Sequence, residues 1–543
     1  MSEPTAPITR WWGWGDPAIR PALGPEALAM LRDTVGVAQP ASRVELAEVG
    51  LPEPAPLPPE LAEAVGEHAV LSGREHRIRR AAGQSYPDLI RLRTGRLEDA
   101  PDAVLLPASP AEVARVLELC AAHGIAVVPF GGGTSVVGGV DPHRGGFDRL
   151  VALDLHRLRD VEVDSVSLTA KLGPGLRGPE AESALAEKGL TLGHFPQSFE
   201  YATIGGFAAT RSAGQASSGY GRFDELVTSV RMTTPVGELA TLDVPHTAAG
   251  PSLRELAVGS EGILGVISQV GVRVRPAPAH RRYEAWIAPD FAGGREAVRS
   301  LAQTGALPDV IRLSDEVETT ASLRLAGVAG LRRSALEGYL RLRRRADGCM
   351  VICGWEGGAE SVERRRAVSL RALRAAGAVS LGQAPGRSWL AGRFHGPYLR
   401  EALLDLGYFV ETLETAHTWA SLDSHYRSVR GAIEAALQTP DGGTLVMCHV
   451  SHAYRDGASL YFTFLAPGHA GAELEQWRRV KTAACEAIVA GGGTITHHHA
   501  IGRDHAPYMR AEVGEVGLQA LGALKERLDP AGVMNPGKLI DGP

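Results

Sequence analysis

An apolar run, Ile125-Ala-Val-Val-Pro-Phe130, opens directly onto Gly131-Gly-Gly-Thr-Ser135, and this junction constrains the chain more than any other feature. Glycines take backbone angles closed to other residues, so consecutive N–H groups can converge on one anion, and Thr134 and Ser135 add hydroxyl donors. Upstream, Ala103-Val-Leu-Leu106 reads as a strand. Next comes a helix with Ser109 as N-cap, Pro110 in its first turn and Glu112 closing a capping box. Val113, Val116, Leu117 and Cys120 form an apolar stripe at helical spacing, and Gly124 ends the helix. The unit is strand, helix, strand, glycine loop, which suits a phosphate-bearing cofactor. A nucleotide triphosphate loop needs a lysine after its glycines, and none is present. A dinucleotide fold puts its glycine turn after the first strand and before a helix, whereas this turn follows the second strand and runs into Val136-Val-Gly-Gly139. Taken alone, such a triplet also serves as a plain tight turn, so the rest of the chain must decide.

At 543 residues the chain exceeds what one hydrophobic core serves, and two or three domains are expected. A net charge of −6 argues against a nucleic-acid partner. Basic residues are almost all arginine, a compositional bias, with lysine only at Lys171, Lys188, Lys481, Lys525 and Lys538. No run of eighteen apolar residues is present, and Met1–Arg10 lacks a basic start followed by an apolar segment, so a cytoplasmic location is expected. Five scattered cysteines without Cys-x-x-Cys spacing indicate neither a disulfide framework nor a zinc knuckle.

Residues 16–60 are rich in proline and alanine, and Leu51–Pro59 reads as an extended linker that wraps or tethers without packing a core. From Arg96 to Pro278 strands and glycines dominate, as in Leu150–Leu155, Ser167–Leu172 and Gly271–Arg275. Pro276-Ala-Pro278 is expected to break any strand and to mark a boundary. Beyond it, strands such as Tyr283–Ile287, Met350–Cys353 and Leu460–Phe464 alternate with helices rich in arginine and glutamate.

Four further segments continue the glycine-loop theme: Gly193–Gly206, Thr210–Gly221, Val258–Ile267 and Leu528–Lys538. In this order, and with Trp11-Trp-Gly-Trp-Gly15 at the start, they resemble the FAD-binding fold shared by vanillyl-alcohol oxidase and p-cresol methylhydroxylase. The resemblance implies an α+β protein in which a two-subdomain FAD-binding domain is joined to an α/β cap carrying the substrate site. On this chain the division becomes an N-terminal helical and extended segment (1–95), the FAD-binding domain (96–278), the cap (279–495) and a C-terminal segment (496–543) that returns to the FAD domain. It assigns cofactor contacts first to Pro129, Phe130, Gly131, Gly132, Gly133, Thr134, Ser135 and Val136. A second group is Gln197, Ser198, Phe199, Glu200, Tyr201, Ala202, Thr203, Gly205 and Gly206. Thr210, Arg211, Ser212 and Ala213 follow, then Glu261, Gly262, Ile263, Leu264, Gly265, Val266 and Ile267. No histidine or cysteine marks a covalent flavin link, so FAD is expected to be noncovalent.

The C-terminal half selects a branch. Thr494-Ile-Thr-His-His-His499 resembles the triple-histidine motif of alkylglycerone-phosphate synthases, which exchange the acyl chain of acyl-dihydroxyacetone phosphate for a fatty alcohol through the flavin N5 with no net electron transfer. Val310–Asp315, Pro397–Glu401, Glu411–Ala416 and Cys448–Phe462 match the same branch. The alternative is an FAD-dependent D-2-hydroxyacid dehydrogenase or oxidase, whose metal-binding His-x-Gly-Asp-Gly-Asn-x-His and Glu-His-Gly patterns are lost here, with Tyr461 near the second histidine and His498 near the glutamate. The synthase resemblance implies Tyr461 as acid/base, which asks for a lowered phenol pKa or a neighbouring proton acceptor. It implies Arg400 and Arg312 as substrate-phosphate groups, suited to it by the guanidinium fork. His497, His498 and His499 are read as a strand, on which His497 and His499 share a face and His498 points away, so no metal is expected. As partly protonated imidazoles the three would orient phosphate or move protons. His194 is a candidate flavin contact, and a structural role fits it equally. Two departures stand out: Ala500 replaces the usual glycine after the histidines, and Gln197 replaces a commonly acidic residue. The implied partner is a small-molecule or lipid-phosphate substrate, with room for peripheral membrane contact and for a homodimer. The C-terminus, Ile540–Pro543, carries no peroxisomal address.

Overall fold

A computed structural model describes residues 9–20, 23–325, 330–438 and 442–540. The readings made on Met1–Ile8 and on Asp541–Pro543 lie outside the described residues.

The first sheet contains β1 (Val70–Leu71), β2 (Ala103–Leu105), β3 (Ile125–Phe130) and β4 (Arg149–Asp154), in the order β1-β2-β4-β3. β4 runs parallel to β2 on one side and to β3 on the other. Parallel strands need a crossover, and the helix Pro110–His123 supplies it. Its Ser109 hydroxyl accepts from Glu112 N, Gly124 ends it at φ +61°, and the expected apolar stripe is buried together with Leu119. The Glu112 carboxylate accepts from Ala108 N instead of Ser109 N, so the box closes one residue early. β3 is buried except at Pro129, in keeping with a parallel sheet covered on both faces.

The second sheet is antiparallel. β5 (Val161–Asp164) and β6 (Thr169–Leu172) precede the two-residue strand β7 (Leu190–Thr191), which stands apart from it. β8 (Val227–Thr234), β9 (Gly237–Ala240) and β10 (Val266–Arg273) complete the order β5-β6-β10-β8-β9. β11 (Arg275–Pro276) pairs with β7 and stops at Pro276, so the Pro276-Ala-Pro278 run breaks the strand. Proline is tolerated in such a short edge ladder, where Ala277 N, not Pro276, provides the next bond, to Gly189 O at 2.8 Å.

A third sheet holds β12 (His280–Ala288), β13 (Val310–Ser314), β14 (Cys349–Gly357), β15 (Val379–Gly382), β16 (Tyr408–Thr418), β17 (Leu445–Ala453) and β18 (Gly457–Pro467). Its order is β15-β12-β14-β13-β17-β18-β16, and every pair is antiparallel. Register places Glu414 of β16 and His449 of β17 on either side of Tyr461 of β18. Directly opposed residues share a face, so one row of three strands presents a carboxylate, a phenol and an imidazole together.

Both ends of the chain join these layers. Within the proline-rich stretch the helix Pro25–Thr34 buries Ala27, Met30 and Leu31, and Leu31 and Val35 belong to the largest core cluster. This helix lies outside Leu51–Pro59, the stretch read as linker, where 51–58 has no regular structure. At the other end, Val127 N donates to Val533 O and Asn535 N donates to Val127 O, both at 2.8 Å, which lays the C-terminal segment along the free edge of β3. Val533 and Met534 share a core cluster with Val127.

Candidate active site

The glycine loop after β3 and one face of the third sheet enclose a cavity of about 570 Å3, within the usual size of ligand sites. The loop can be built only from glycine. A Cβ on Gly131 would stand 2.4 Å from Thr203 Oγ1, and one on Gly132 would stand 2.1 Å from Tyr201 O. Gly133 has φ +65° and lies under the Phe130 ring. Among the described residues no protein acceptor meets the amides of Gly131, Gly132, Gly133 or Thr134, while Ser135 Oγ is turned back onto Gly139 N at 2.8 Å. Free amides at one end and the buried, unpartnered Gln215 Oε1 further along suit a dinucleotide with a pyrophosphate and a polar ring.

Most of the residues expected to touch cofactor line this cavity, but six do not. Phe199 packs under Gly178 and stacks on Phe394 at 5.4 Å. The Tyr201 hydroxyl bonds the Tyr398 hydroxyl at 3.1 Å, so only the Tyr201 backbone approaches the loop. Arg211 turns to Val258 O and Glu255 O, Ile263 and Leu264 are core, and the Glu200 carboxyl is raised by burial, away from the cavity. His194 also fails to line it. Its ring lies between Phe207 and Phe223, with Nε2 3.1 Å from Ser212 Oγ, and burial lowers its pKa to about 3. Its place is structural support behind the loop.

The three histidines do not form a strand. They lie in a bend wrapped over the buried carboxylate of Glu414. Glu414 Oε1 accepts from Thr496 Oγ1 at 2.6 Å, His498 N at 2.9 Å and His499 N at 2.8 Å, and Oε2 accepts from His497 N at 2.5 Å. Four donors converging on one side chain cost the segment its extended shape. As a result His498 and His499 both line the cavity, whereas His497 turns outward to the Tyr454 hydroxyl at 2.7 Å. Burial holds the imidazoles neutral: His497 lies well below its ordinary range, His498 at about 3 and His499 at about 4. The partly protonated rings expected from sequence are thus neutral ones. Burial opposes the charge on Glu414, but His498, His499 and His497 beside it and the Thr496 bond hold its carboxyl well below the ordinary range.

Tyr461 sits among these rings, stacked on His449 at 4.9 Å and on His498 at 6.1 Å, with His499 edge-on at 5.4 Å. Burial raises its pKa, against a hydrogen bond with Thr412 and the charge of Arg400. The lowered phenol pKa is therefore absent, and the groups stacked against the phenol ring are imidazoles. Arg312 is held by Glu318 and by His449 Nδ1 at 3.1 Å, and His449 Nδ1 also meets Glu318 Oε2 at 3.1 Å. Burial resists the Glu318 charge, yet His449 and Arg312 draw its carboxyl down to about 2. Arg400 donates to Gln84 O at 2.9 Å and to Gln84 Oε1 at 3.3 Å, and its Nε is buried without a partner.

Nitrogens of His452, His497 and His498 come within 4.8 Å of one another. Hydrogen bonds account for them. His452 Nε2 faces Gly214 O at 3.0 Å, its Nδ1 faces Ser451 Oγ at 2.9 Å, and His497 Nδ1 faces His498 Nδ1 at 2.9 Å, a spacing bridged by one proton. In this arrangement the rings face each other, a hydroxyl and a backbone carbonyl.

Sequence reading missed Glu414, Glu318, His449, His452 and Gln84. Glu414 carried one usable signal, being with Glu411 one of two acidic residues in the largely apolar and Thr-rich strand β16. The far arm of the cavity is apolar, lined by Met30, Leu31, Leu325, Leu403, Met447 and Leu465. It arises because the helix Pro25–Thr34 and the helix Glu316–Leu325 close over the third sheet.

Residues 101–243 match the family described as FAD binding domain, and residues 277–539 match FAD linked oxidases, C-terminal domain. Alkyldihydroxyacetonephosphate synthase of Trypanosoma brucei brucei is 32% identical over 497 residues, which is 90% of this chain and 81% of that protein. The chain belongs to the alkyldihydroxyacetonephosphate synthase family. A solved alkyldihydroxyacetonephosphate synthase structure superposes with a TM-score of 0.85 at 27% identity, covering 97% of this chain and 98% of the other. p-Cresol methylhydroxylase, at 14% identity and a TM-score of 0.66 over 89% of this chain and 96% of its own, shares the fold. The synthase-family chain is an FAD enzyme of the α+β class with a p-cresol methylhydroxylase-type flavin fold.

Proposed function

We propose that this chain exchanges the acyl group of an acyl-dihydroxyacetone phosphate for a fatty alcohol, with FAD bound noncovalently. The observation that carries the reading is that one cavity has unpaired glycine-loop amides, an Arg, His and Tyr cluster and an apolar arm in its lining. A hydroxyacid needs no such arm. FAD, when bound, supplies an electrophilic centre at N5.

The protein's own groups supply the rest. Arg400, with Nε unpartnered, and Arg312, whose charge is only partly met by Glu318, are the phosphate-binding groups. His498 and His499, neutral and against Tyr461, take the proton that leaves the carbon beside the ketone, and the phenol returns one. The apolar arm receives first the acyl chain and then the alcohol chain. The same reading divides the chain at 95/96, 278/279 and 495/496, supported by the change of sheet between Pro276 and His280. No described helix is long and apolar enough to cross a membrane, and lipid chains would be drawn from a surface met peripherally.

Anaerobic spectra of the holoenzyme test the proposal. Bleaching of the flavin by hexadecanoyl-dihydroxyacetone phosphate, reversed by hexadecanol, is expected. Bleaching only by D-2-hydroxyacids would overturn it in favour of a dehydrogenase. Yellow colour that stays with the chain after acid precipitation would exclude noncovalent FAD.

A further inference from the structure

Glu414 is buried, its carboxyl is held well below the ordinary range, and among the described residues it meets no arginine or lysine side chain through a hydrogen bond. Isolated buried carboxylates are costly unless several donors satisfy them. Here all four donors come from Thr496–His499, and its oxygens stand 3.6 Å from His498 Nδ1 and 3.9 Å from His499 Nδ1. It is also the cross-strand neighbour of Tyr461. Four donors ask for two acceptor oxygens, which a carboxylate supplies. The charge has a use because every other force on those two rings expels a proton. Burial does so, as do Arg222 and His449 for His498, and Lys481 and Arg400 for His499. His452 and Arg222 act likewise on His497, and Lys481 on the neighbouring His505. Among the groups facing His498 and His499, Glu414 is the carboxylate that favours the protonated form.

We propose that Glu414 is the positioning residue of the histidine turn, setting where His498 and His499 stand against Tyr461 and raising their affinity for the substrate proton. The inference rests on the acyl-for-alkyl exchange proposed above. In that reaction the C–H bond beside the ketone breaks, its electron pair stays with the carbon, and the proton forms an N–H bond on an imidazole. The buried carboxylate then lies beside the imidazolium so created. Later in the exchange the proton returns to carbon, and Glu414 is left as it began.

The test follows the rate of flavin bleaching by hexadecanoyl-dihydroxyacetone phosphate against pH, in wild-type holoenzyme and in Glu414→Gln and Glu414→Asp. With Gln the acid limb moves down by about one pH unit or more, because a negative charge beside the rings is gone, and bleaching slows at least about tenfold. With Asp the charge remains, so the limb stays in place while the rate falls with the altered reach. A Gln variant that binds FAD and keeps the wild-type limb overturns the proposal, whatever its rate. Where Gln yields no flavin-bound protein, Thr496→Val takes its place. That change frees Oε1 for the rings, so an upward shift supports the proposal and an unmoved limb overturns it. Wild-type flavin that bleaches at no pH would refute the exchange reaction, not the role of Glu414. That role is then read from the histidine Cε1–H resonances of the labelled holoenzyme: midpoints of His498 and His499 that fall in Glu414→Gln support it, and unchanged midpoints overturn it.

Discussion

The glycine loop after β3 and the histidine turn at 497–499 both shape the cavity, but they are built by opposite means. The loop is made by what its own residues lack: without Cβ atoms, Gly131 and Gly132 can lie against Thr203 and Tyr201. The turn is made by what a distant residue adds, since Glu414 binds it from a strand 82 residues before Thr496. The loop's geometry is therefore intrinsic and the turn's is borrowed. Loss of a loop glycine should cost the cofactor, whereas loss of a histidine should cost only chemistry.

The largest expected effect tests the loop. Gly132→Val would push a side chain into the Tyr201 carbonyl, 2.1 Å from the ideal Cβ. Purified protein should contain no bound FAD by absorbance while its circular dichroism stays native. Full flavin occupancy in that variant would break the contrast. Next is the turn: His498→Ala should keep full flavin content and lower turnover by roughly 10²–10⁴-fold, the usual contribution of a proton-transfer group. Flavin loss there would show that the turn, too, is part of the cradle.

Titration sharpens the comparison further. His498 and His499 stay neutral in the fold to about 3 and about 4, and the unfolded chain takes these protons near 6.5. Below that value the unfolded state binds more protons, so stability is present above about pH 6.5 and is lost as pH falls, by up to about 1.4 kcal/mol per unit for each ring. On the loop side the sign is reversed. Glu261, raised by burial to about 7, contributes fully only below the ordinary carboxylate range and loses that contribution as pH rises toward 7. Urea titrations of the holoenzyme between pH 7.5 and 5 should show the histidine sign dominating, and His498→Gln should flatten the slope. The smallest effect concerns the helix that delivers β3. Ser109→Ala removes the hydroxyl that accepts from Glu112 N at 3.2 Å and should destabilise by about 1 kcal/mol, with flavin content and turnover unchanged.

The same contrast explains what could be read from the chain beforehand. Ile125–Phe130, its preceding helix and the glycine triplet were legible because a continuous apolar run, caps and positive φ are local properties. Tyr461 and Arg400 entered through resemblance and do line the cavity. Thr494–His499 looked like a strand because nothing within the segment reveals the four bonds to Glu414. Glu318 and His449 were hidden for a similar reason. Their significance lies in meeting each other and Arg312 across three elements, a juxtaposition that no spacing in the chain encodes. Phe199, Ile263 and Leu264 show the converse error, in which residues next to true cavity walls are buried away from the cavity.

The pairing of Val533–Asn535 with the edge of β3 has a consequence for how the protein is made. Asn535 closes onto Gly139 O across 396 residues of sequence, so a ribosome adding about 5–20 residues per second leaves that edge uncovered for roughly 20–80 s. During this interval the nascent chain carries a finished glycine loop beside a naked, apolar strand, the sort of surface that recruits chaperones or sticks to neighbours.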